Sequence, residues 1–501
     1  MSTESASSQA KEIASGGGIV FGASLLDRGL RLIVTWLLSG YFGPEVFGVY
    51  TIVITILTLV KMFSPLGTEL GTVYFGARFR KNDESAKLKG LVVASMGLSV
   101  LSSIVCMGML WIAAPYVTDY YQEVRFVSTA LLFWTPLHTL VGLLRAHKDM
   151  KGNAIVYQIS LPLVLVTGSI LVVLFQWDLY AALTAYIASV AFPIIIGIHR
   201  GWKHFGHLFK DPELPAIKDL SGLLKYSIPM AFSQFVFRLN AWMDILMLEW
   251  LTQTSSEVGI YRIAVSLALI STLPINAIIT IFNPIIVELV QVQNFERLNG
   301  LLKLVTKWLL LFNLPILMVF YMIPDVVLAF FDDAYLASQH PLIILIAGQL
   351  IWSACSIAMR LIPMSGYAML NLANGIVAAI VNMSLNYWLI PQYGNLGAAI
   401  ATSTTLIVWS TWRLVEAKWL LKCFPFHTIN VALLIGASSL AIVGKILIQD
   451  TSMLFRIGIT GLSIVILLSF AFWGAREPED DDILRTIKAK FSRLLGRSSK
   501  K

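Results

Sequence analysis

Apolar runs of about 20 residues follow one another along nearly the whole chain, with short polar or charged segments between them. An α-helix needs about 20 apolar residues to cross the hydrocarbon core of a bilayer, which is about 30 Å thick. The chain is 57% hydrophobic and 13% charged, whereas soluble domains contain about 25% charged residues. We therefore expect an all-α, polytopic membrane protein of about fourteen transmembrane helices.

The predicted spans are 14–40, 44–64, 89–113, 124–145, 154–176, 180–199, 225–249, 258–283, 302–323, 341–361, 370–390, 396–416, 427–448 and 454–474. The eleventh span is unusually polar. Its asparagines predict a stripe that faces neighbouring helices rather than lipid, and they are Asn371, Asn374, Asn382 and Asn386.

Basic and acidic residues alternate from loop to loop. Most of the 37 basic residues fall in the loops of one predicted side or in the tail, whereas the opposite loops hold only Arg125 and Arg456 beside many carboxylates. Because cytoplasmic loops retain positive charge, both termini are expected in the cytoplasm, which requires an even number of spans. The tail, 477–501, has one apolar face among basic residues and is predicted to lie on the inner membrane surface as an anchor, with partner docking as the alternative.

Short stretches recur after a shift of about 210 residues, in the same order in both halves. GPEVFGVYTI at 43–52 resembles SSEVGIYRIA at 255–264, which aligns Gly48 with Gly259 and Tyr50 with Tyr261. Other matches are LKGLV with LNGLL, GNAIV with ANGIV, and DLYAALTA with NLGAAIAT. The expected organisation is an N-terminal lobe (1–199, helices one to six), a cytoplasmic linker (200–224), a C-terminal lobe (225–416, helices seven to twelve), two additional helices (417–476) and the tail (477–501). Halves with an even number of helices insert with the same orientation.

Arginines lie deep within the first and seventh predicted spans. A charge near the centre of a membrane helix costs about 2.5 to 3.5 kcal/mol on insertion scales, so such side chains usually face a bundle interior or a wet cavity. Arg28 and Arg238 lie at comparable depth on corresponding helices of the two halves, and Asp244 follows on the seventh. An arginine fork binds two phosphate oxygens and stays charged when desolvated, so Arg28 and Arg238 are the preferred anion ligands.

The remaining intramembrane charges each allow two interpretations. Asp27 and Arg31 are one helical turn apart, and they either neutralise each other or contribute to the site. Lys61 lies near the end of its predicted span, and it either extends to the membrane surface or lines the site. Arg262 either pairs with Glu257 or lines an exit route.

The sequence contains no GxxxxGK[ST], HExxH, GxSxG or paired CxxC pattern. The cysteines, Cys106, Cys355 and Cys423, share no metal or redox spacing. We therefore expect no enzyme activity, catalytic residue, cofactor or metal, and an ATP-driven pump is disfavoured. His138 in the fourth span is predicted to be a hydrogen-bonded helix contact rather than a proton relay.

Several motifs resemble the oligosaccharide (O-antigen) flippases of the polysaccharide-transporter group, whose superfamily also contains multidrug exporters and the lipid II flippase. They are LLDRGLRLIVTWLLSGYFGPEVFGVY at 25–50, LLRAHKDMKGNA at 143–154, FNPIIVELVQVQNFERLNGLL at 282–302, IPDVVLAFFDDAYLAS at 323–338 and YGNLGAAIATSTT at 393–405. FDDAY departs from the commoner FG-containing version, which affects the loop shape expected there.

This resemblance implies two six-helix lobes around a central cavity that opens alternately to either side. Cationic residues of the cavity would attract a glycan attached to a polyprenyl phosphate or diphosphate. Helices one, two, seven and eight would line it, which places there Arg28, Arg31 and Arg238, and also Lys61 and Arg262.

The expected function is therefore an alternating-access flippase that moves a polyprenyl-(di)phosphate-linked oligosaccharide across the cytoplasmic membrane for surface polysaccharide biosynthesis. Its expected partners are the lipid-linked glycan and membrane lipids, with a glycan polymerase or glycosyltransferases as further candidates and no nucleic acid. One alternative is a cation-coupled multidrug exporter, in which Asp27 and Asp244 would matter most. The other is a non-transporting scaffold that recruits glycan assembly enzymes through its tail.

Overall fold

A computed structural model describes the backbone of residues 3–217, 219–239, 241–449 and 451–471. Side chains are described from residue 22 onward within these ranges, except at 230, 233, 234, 236–238, 276, 277, 279–281, 283, 284 and 368. All secondary structure in this part of the chain is helical.

The helices of the first half are α1 (Thr3–Phe63), α2 (Thr68–Lys81), α3 (Ser85–Val117), α4 (Tyr121–Ser128), α5 (Leu131–Ala146), α6 (Met150–Asn153), a π-helical turn (Ala154–Ile159), α7 (Ser160–Leu174) and α8 (Leu179–Lys210). The second half contains α9 (Leu220–Leu239), α10 (Met243–Thr252), α11 (Ser255–Ala268), a 3₁₀ turn (Leu269–Ser271), α12 (Thr272–Gln291), α13 (Phe295–Met322), α14 (Pro324–Ala329), a 3₁₀ turn (Asp333–Ser338), α15 (Gln339–Cys355), α16 (Ala358–Met364), α17 (Ala368–Leu421), α18 (Thr428–Leu447) and α19 (Met453–Ser469).

Each predicted span coincides with one of these helices or with a pair, so the chain is an all-α polytopic membrane protein, and a count of about fourteen spans fits it. Among the described residues, nine helices are long and apolar enough to cross a membrane, and the bent pair α4–α5 makes a tenth. Two of the nine contain a break and carry two predicted spans each. Gly43, with φ 69°, and the following Pro44 break α1, and Gly394, with φ 55°, breaks α17.

The second span is longer than its apolar run predicts. After a break at 64–67, where Leu66 and Gly67 have φ of 49° and 72°, the chain continues as α2 to Lys81. Pro65 at this break lacks an N–H and cannot continue the helical hydrogen bonding. The span therefore consists of the second half of α1 followed by α2, with a hinge between them.

The chain divides into two compact units. The first comprises Met1–Ser266, Ala329–Ser338 and Gly375–Ala401, and it contains α1 to α10 and most of α11. In it α2 packs against α5 at Gly142, where an added Cβ would lie 2.4 Å from Thr72 Oγ1 and 2.6 Å from the Glu69 carbonyl oxygen. The small residue lets the two backbones approach closely, as is usual between membrane helices.

The second unit comprises Leu267–Leu328, Gln339–Asn374 and Thr402–Lys501. Its apolar clusters join α13 with α12 and with α18 and α19. Arg413 is 2% exposed, and its Nη1 donates to Asn371 Oδ1 at 2.7 Å. Asn374 donates to both oxygens of Glu416, at 2.9 and 2.7 Å. Asparagines of the eleventh span thus bind neighbouring side chains here, as predicted.

In the first unit the asparagine stripe is also buried. Asn382 and Asn386 are 2% and 0% exposed, and Asn386 Nδ2 donates to Asn382 Oδ1 at 2.9 Å. The division into two six-helix lobes with two additional helices remains a prediction.

Candidate functional site

Arg31 lies on α1 inside the first unit, enclosed by protein atoms. Its Nε donates to Asp27 Oδ1 at 2.8 Å, one turn earlier on the same helix. Tyr157 of the π-helical turn and Tyr186 of α8 lie within its electrostatic reach. The Arg31 side chain nevertheless remains 41% accessible. Arg31 is therefore partly accessible, although Asp27, Tyr157 and Tyr186 surround it.

Arg262 on α11 also reaches this region from the other half of the sequence. It lies within electrostatic reach of Arg31, Tyr50 and Asp244. Its guanidinium carbon lies 5.0 Å from the centre of the Trp242 ring, a cation–π geometry worth about 0.5 to 2 kcal/mol. The structure therefore brings Arg31 and Arg262 into one electrostatic environment.

Glu257 does not pair with Arg262. Its Oε2 accepts from the backbone N–H of Asn395 at 2.8 Å, beside the break at Gly394 in α17. The carboxylate is used to hold the chain where the helix is interrupted. Of the two interpretations of Arg262, pairing with Glu257 is therefore wrong.

Lys61 contacts aromatic side chains of the first unit. Its Nζ donates to Tyr186 Oη at 2.9 Å and lies 4.3 Å from the centre of the Trp134 ring. Lys61 lies in the last turn of α1, which ends at Phe63. The role of Lys61 in the site remains a prediction.

Asp244 is 4% exposed and accepts from Tyr261 Oη at 2.6 Å and from the N–H of Ile245 at 2.9 Å. Asp27 is bound by Arg31. Each acidic candidate thus has a partner, and the alternative in which Asp27 and Arg31 interact is the arrangement observed.

Arg28, predicted as a primary ligand, is half-buried on α1 beside Asp27. Arg238, the other predicted ligand, lies on α9, but its side chain falls outside the described residues. The predicted cations that the structure connects to one another through shared neighbours are thus Arg31, Lys61 and Arg262.

The site combines an excess of positive charge with aromatic faces and hydroxyl groups. Three described basic side chains, Arg31, Lys61 and Arg262, lie in this region with two carboxylates, Asp27 and Asp244, and Arg28 lies beside Asp27. The rings and hydroxyls come from Tyr50, Trp134, Tyr157, Tyr186, Trp242 and Tyr261. Arginine donors bind phosphate oxygens, and aromatic rings provide flat apolar faces. The described residues contain no group of three His, Cys, Asp or Glu side chains arranged to hold a metal ion.

Sequence reasoning missed a charged network between α2 and α5. Glu69 of α2 contacts both His138 and Arg145 of α5. The hydrogen bond predicted for His138 exists, with Nδ1 2.9 Å from Glu69 Oε2. Glu69 lies more than 60 residues away, and no local pattern indicates the pairing.

Asp149 organises the loop that contains the LLRAHKDMKGNA motif. It caps α6 by accepting from the N–H of Gly152 at 2.7 Å, and it also contacts His204 Nε2 at 2.9 Å. Burial raises the pKa of this carboxyl, but the hydrogen bonds from His204 and Gly152 and the charge of Arg200 outweigh that effect, so its pKa is lowered. The motif therefore fixes the loop between α5 and α7 onto α8.

Solved structures with the same fold are flippases and transporters. The lipid II flippase MurJ in an inward closed conformation has a TM-score of 0.69 and 15% sequence identity, covering 91% of this chain and 100% of that one. An inward-facing multidrug resistance MATE family transporter of the MOP superfamily has a TM-score of 0.65 and 13% identity, covering 79% and 94%. A MOP superfamily transporter from Pyrococcus furiosus has a TM-score of 0.56 and 13% identity, covering 82% and 95%.

A comparison with curated protein sequences gave no significant match. The family model for polysaccharide biosynthesis proteins matches residues 13–290, which include the helices that carry Arg28, Arg31, Lys61 and Arg262. This match spans more than half of the 501 residues. The chain therefore belongs to the polysaccharide biosynthesis protein family, with the fold that MurJ and the MATE transporters share.

Proposed function

We propose that this protein is an alternating-access flippase for a polyprenyl-(di)phosphate-linked oligosaccharide used in surface polysaccharide biosynthesis. The observation that carries this proposal is the electrostatic proximity of Arg31 and Arg262 within the first unit, with Lys61 bound to Tyr186, which also lies within reach of Arg31. Membership of the polysaccharide biosynthesis protein family supports a glycan as the transported group.

The (di)phosphate is bound by the arginines in this proposal. Asp27 neutralises part of the charge of Arg31, whereas Arg262 makes no ion pair with any described carboxylate within 4.0 Å. A phosphate placed between the two guanidinium groups would receive charge-assisted hydrogen bonds, each worth about 1.5 to 3 kcal/mol. Arg28 and Arg238 belong to the same proposed site as the ligands predicted from the sequence.

The sugar rings are placed against the aromatic side chains. Trp242 and Trp134 each lie beside a cation, at 5.0 and 4.3 Å respectively. An apolar sugar face can stack on such a ring while its hydroxyls bond to the tyrosines. The polyprenyl tail stays in lipid, and both termini are placed in the cytoplasm, as the charge of the loops predicts.

A multidrug exporter is the second candidate, since MATE transporters share the fold. Such a protein would need a free carboxylate to attract cationic compounds. Asp27 is bound to Arg31, and Asp244 to Tyr261. The excess of positive charge therefore favours an anionic substrate. A change in drug susceptibility after deletion of the gene, without loss of surface glycan, would support the exporter instead.

The test is complementation of a flippase-deficient strain with Arg31→Gln, Arg262→Gln, Arg28→Gln and Arg238→Gln, each at normal abundance in the membrane. Arg31→Gln and Arg262→Gln are expected to reduce surface glycan about tenfold or more. Lys445→Gln is the matched control, because Lys445 in α18 donates to the carbonyl oxygen of Tyr321 in the second unit. Full activity of both the Arg31 and Arg262 variants would contradict the proposal. Deletion of residues 477–501 distinguishes the flippase from the scaffold alternative. A scaffold that recruits enzymes through its tail would no longer support glycan synthesis, whereas a flippase would retain activity.

A further inference from the structure

Arg360 lies on α16 in the second unit, and its side chain is partly buried. Among the residues that the structure describes, none forms an ion pair or a side-chain hydrogen bond with it. A partly buried charge without a partner costs free energy, because its surroundings solvate it less well than water does. The N–H donors of Arg360 are therefore available to a ligand.

A second arginine, Arg413 of α17, adds positive charge at the same place. Its Nη2 donates to the carbonyl oxygen of Met359, the residue before Arg360, at 2.6 Å. The two guanidinium groups lie within electrostatic reach of each other. Both acceptors of Arg413 are neutral, because its Nη1 donates to the amide oxygen of Asn371. The hydrogen bonds of Arg413 therefore leave its charge in place beside that of Arg360.

Glu416 of α17 is the carboxylate of this cluster, and it is bound by other groups. Its Oε1 accepts from Trp412 Nε1 at 2.8 Å, and both of its oxygens accept from Asn374 Nδ2. In the described part of the chain, no ion pair within 4.0 Å links Glu416 to Arg360 or Arg413. Two arginines and one carboxylate leave one net positive charge in the cluster. An anion beside Arg360 would offset it.

The donors of Arg360 suit a phosphate group. The planar arginine fork binds two phosphate oxygens at once, and it keeps its charge when it is desolvated. Arg413 is less suited to direct contact, because both of its Nη atoms already donate and its Nε is buried. Arg360 would therefore hold the ligand, while Arg413 adds to the positive potential around it.

The surroundings of the two arginines favour a lipid as the source of this phosphate. Met369, just after α16, is 78% exposed, and Trp412 and Trp419 of α17 are 53% and 75% exposed. The two tryptophans lie two turns apart on one face of α17. In a membrane protein such side chains face lipid, and tryptophan is enriched at the level of the headgroups. Because Trp412 also binds Glu416, this lipid-facing surface adjoins the arginine cluster.

We propose that Arg360, supported by Arg413, binds the phosphate of an anionic phospholipid in the inner leaflet. Arg360 belongs to the basic side of the chain that is predicted to be cytoplasmic, and basic pockets between helices on that side bind anionic headgroups. The site lies within the second unit, whereas the cations of the proposed substrate site belong to the first. The lipid site is therefore independent of what the protein transports.

The test uses the purified, delipidated full chain in a neutral detergent. Native mass spectrometry measures the binding of the first molecule of dioleoylphosphatidylglycerol, which is anionic, and of dioleoylphosphatidylcholine, which has no net charge. The unmodified protein is expected to prefer phosphatidylglycerol, and Arg360→Gln is expected to bind it about tenfold more weakly. Binding of phosphatidylcholine is expected to be the same in both proteins.

Thermal unfolding separates a lipid ligand from a structural role of Arg360. Phosphatidylglycerol is expected to raise the Tm of the unmodified protein but not that of Arg360→Gln, because a ligand stabilises the folded state that binds it. Without lipid, Arg360→Gln is expected to unfold at the same temperature as the unmodified protein or at a higher one, because it removes a charge that repels Arg413. A purely structural role would instead lower the Tm without lipid.

Arg297→Gln is the matched control, because Arg297 is an exposed residue at the start of α13 in the same unit and the change removes the same charge. It is expected to bind phosphatidylglycerol as the unmodified protein does. The proposal is overturned if the unmodified protein binds both lipids equally, if Arg360→Gln keeps the preference, or if Arg297→Gln loses it. It is also overturned if Arg360→Gln is less stable without lipid.

Inorganic phosphate distinguishes a free ion from a lipid headgroup. A large excess of it is expected neither to displace phosphatidylglycerol nor to raise the Tm of the unmodified protein. If inorganic phosphate does both, and Arg360→Gln abolishes these effects, the site holds a soluble phosphate and the lipid proposal is wrong. Because these measurements use no glycan lipid, they can fail independently of the complementation test.

Discussion

Gly48 and Gly259 meet at a crossing of α1 and α11, with each glycine facing the carbonyl group one turn before the other. A Cβ on Gly48 would lie 1.8 Å from the Ser255 carbonyl oxygen, and a Cβ on Gly259 would lie 2.1 Å from that of Pro44. The contact is symmetrical, and the two glycines are the ones aligned by the internal repeat. A pseudo-two-fold axis through this crossing would produce such a contact.

Replacing either glycine should force the two backbones apart. Gly48→Ala and Gly259→Ala are each expected to lower the free energy of unfolding by about 1 to 3 kcal/mol, because neither carbonyl group can retreat without moving its helix. Thermal unfolding and complementation measure the effect. Gly29→Ala, on the same α1, is the control, since nothing lies within 4 Å of its added Cβ. Equal stability and activity of all three variants would contradict the close packing.

The ion pair between Arg456 and Asp325 is expected to anchor α19 in a pH-dependent manner. Arg456 Nη1 donates to Asp325 Oδ2 at 2.7 Å, and its Nη2 donates to the other oxygen. Burial raises the pKa of Asp325, but the hydrogen bonds and charge of Arg456 outweigh it, so the pKa is lowered. A carboxyl with a lowered pKa in the folded state adds stability above its unfolded pKa, about 3.9, and loses it as the pH falls through the folded value.

Asp325→Asn should therefore lower the Tm at pH 7, and the difference from the unmodified protein should shrink as the pH falls below about 4. Arg456→Gln should show the same pattern, and the double variant should lower the Tm by no more than either single variant does. Thermal unfolding in detergent across this pH range checks it. A Tm difference that does not change with pH would contradict the role of the ion pair.

Asn371 is expected to be essential for the packing of α17 in the second unit. Arg413 donates two hydrogen bonds, from Nη1 to Asn371 Oδ1 and from Nη2 to the Met359 carbonyl oxygen at 2.6 Å. Asn371→Ala leaves a buried guanidinium N–H without an acceptor, which should cost about 1.5 to 3 kcal/mol. The control is Asn82→Ala, at an exposed position in the loop after α2. If both variants unfold at the same temperature, water or another group satisfies Arg413.

The sequence predicts the spans because the thickness of the bilayer imposes a length on each apolar run. It also indicates the breaks at Gly43–Pro44 and near Gly394, and the asparagine stripe. It does not predict α2, because the apolar run stops at Ser64 while the chain becomes helical again from Thr68 to Lys81. The end of an apolar run is therefore not the end of a span when polar residues continue on a buried face.

The site is only partly predictable for a related reason. Arg28 and Arg31 are separated by less than one turn, and a single sequence does not reveal which of them faces the interior. The pairing of Glu69 with His138 and Arg145 depends on how α2 packs on α5, which hydrophobic periodicity does not encode. Composition located the charges in the bilayer, but their partners follow from tertiary packing.

The most direct measurement of the central claim compares two lipids that differ only in the phosphate. Binding of a polyprenyl phosphate and of the matching polyprenol to the purified protein is measured for the unmodified chain and for the double variant Arg31→Gln/Arg262→Gln. We predict that the unmodified protein prefers the phosphate by about tenfold or more and that the double variant loses this preference. Equal binding of both lipids by the unmodified protein, or an unchanged preference in the double variant, would contradict the proposed phosphate site.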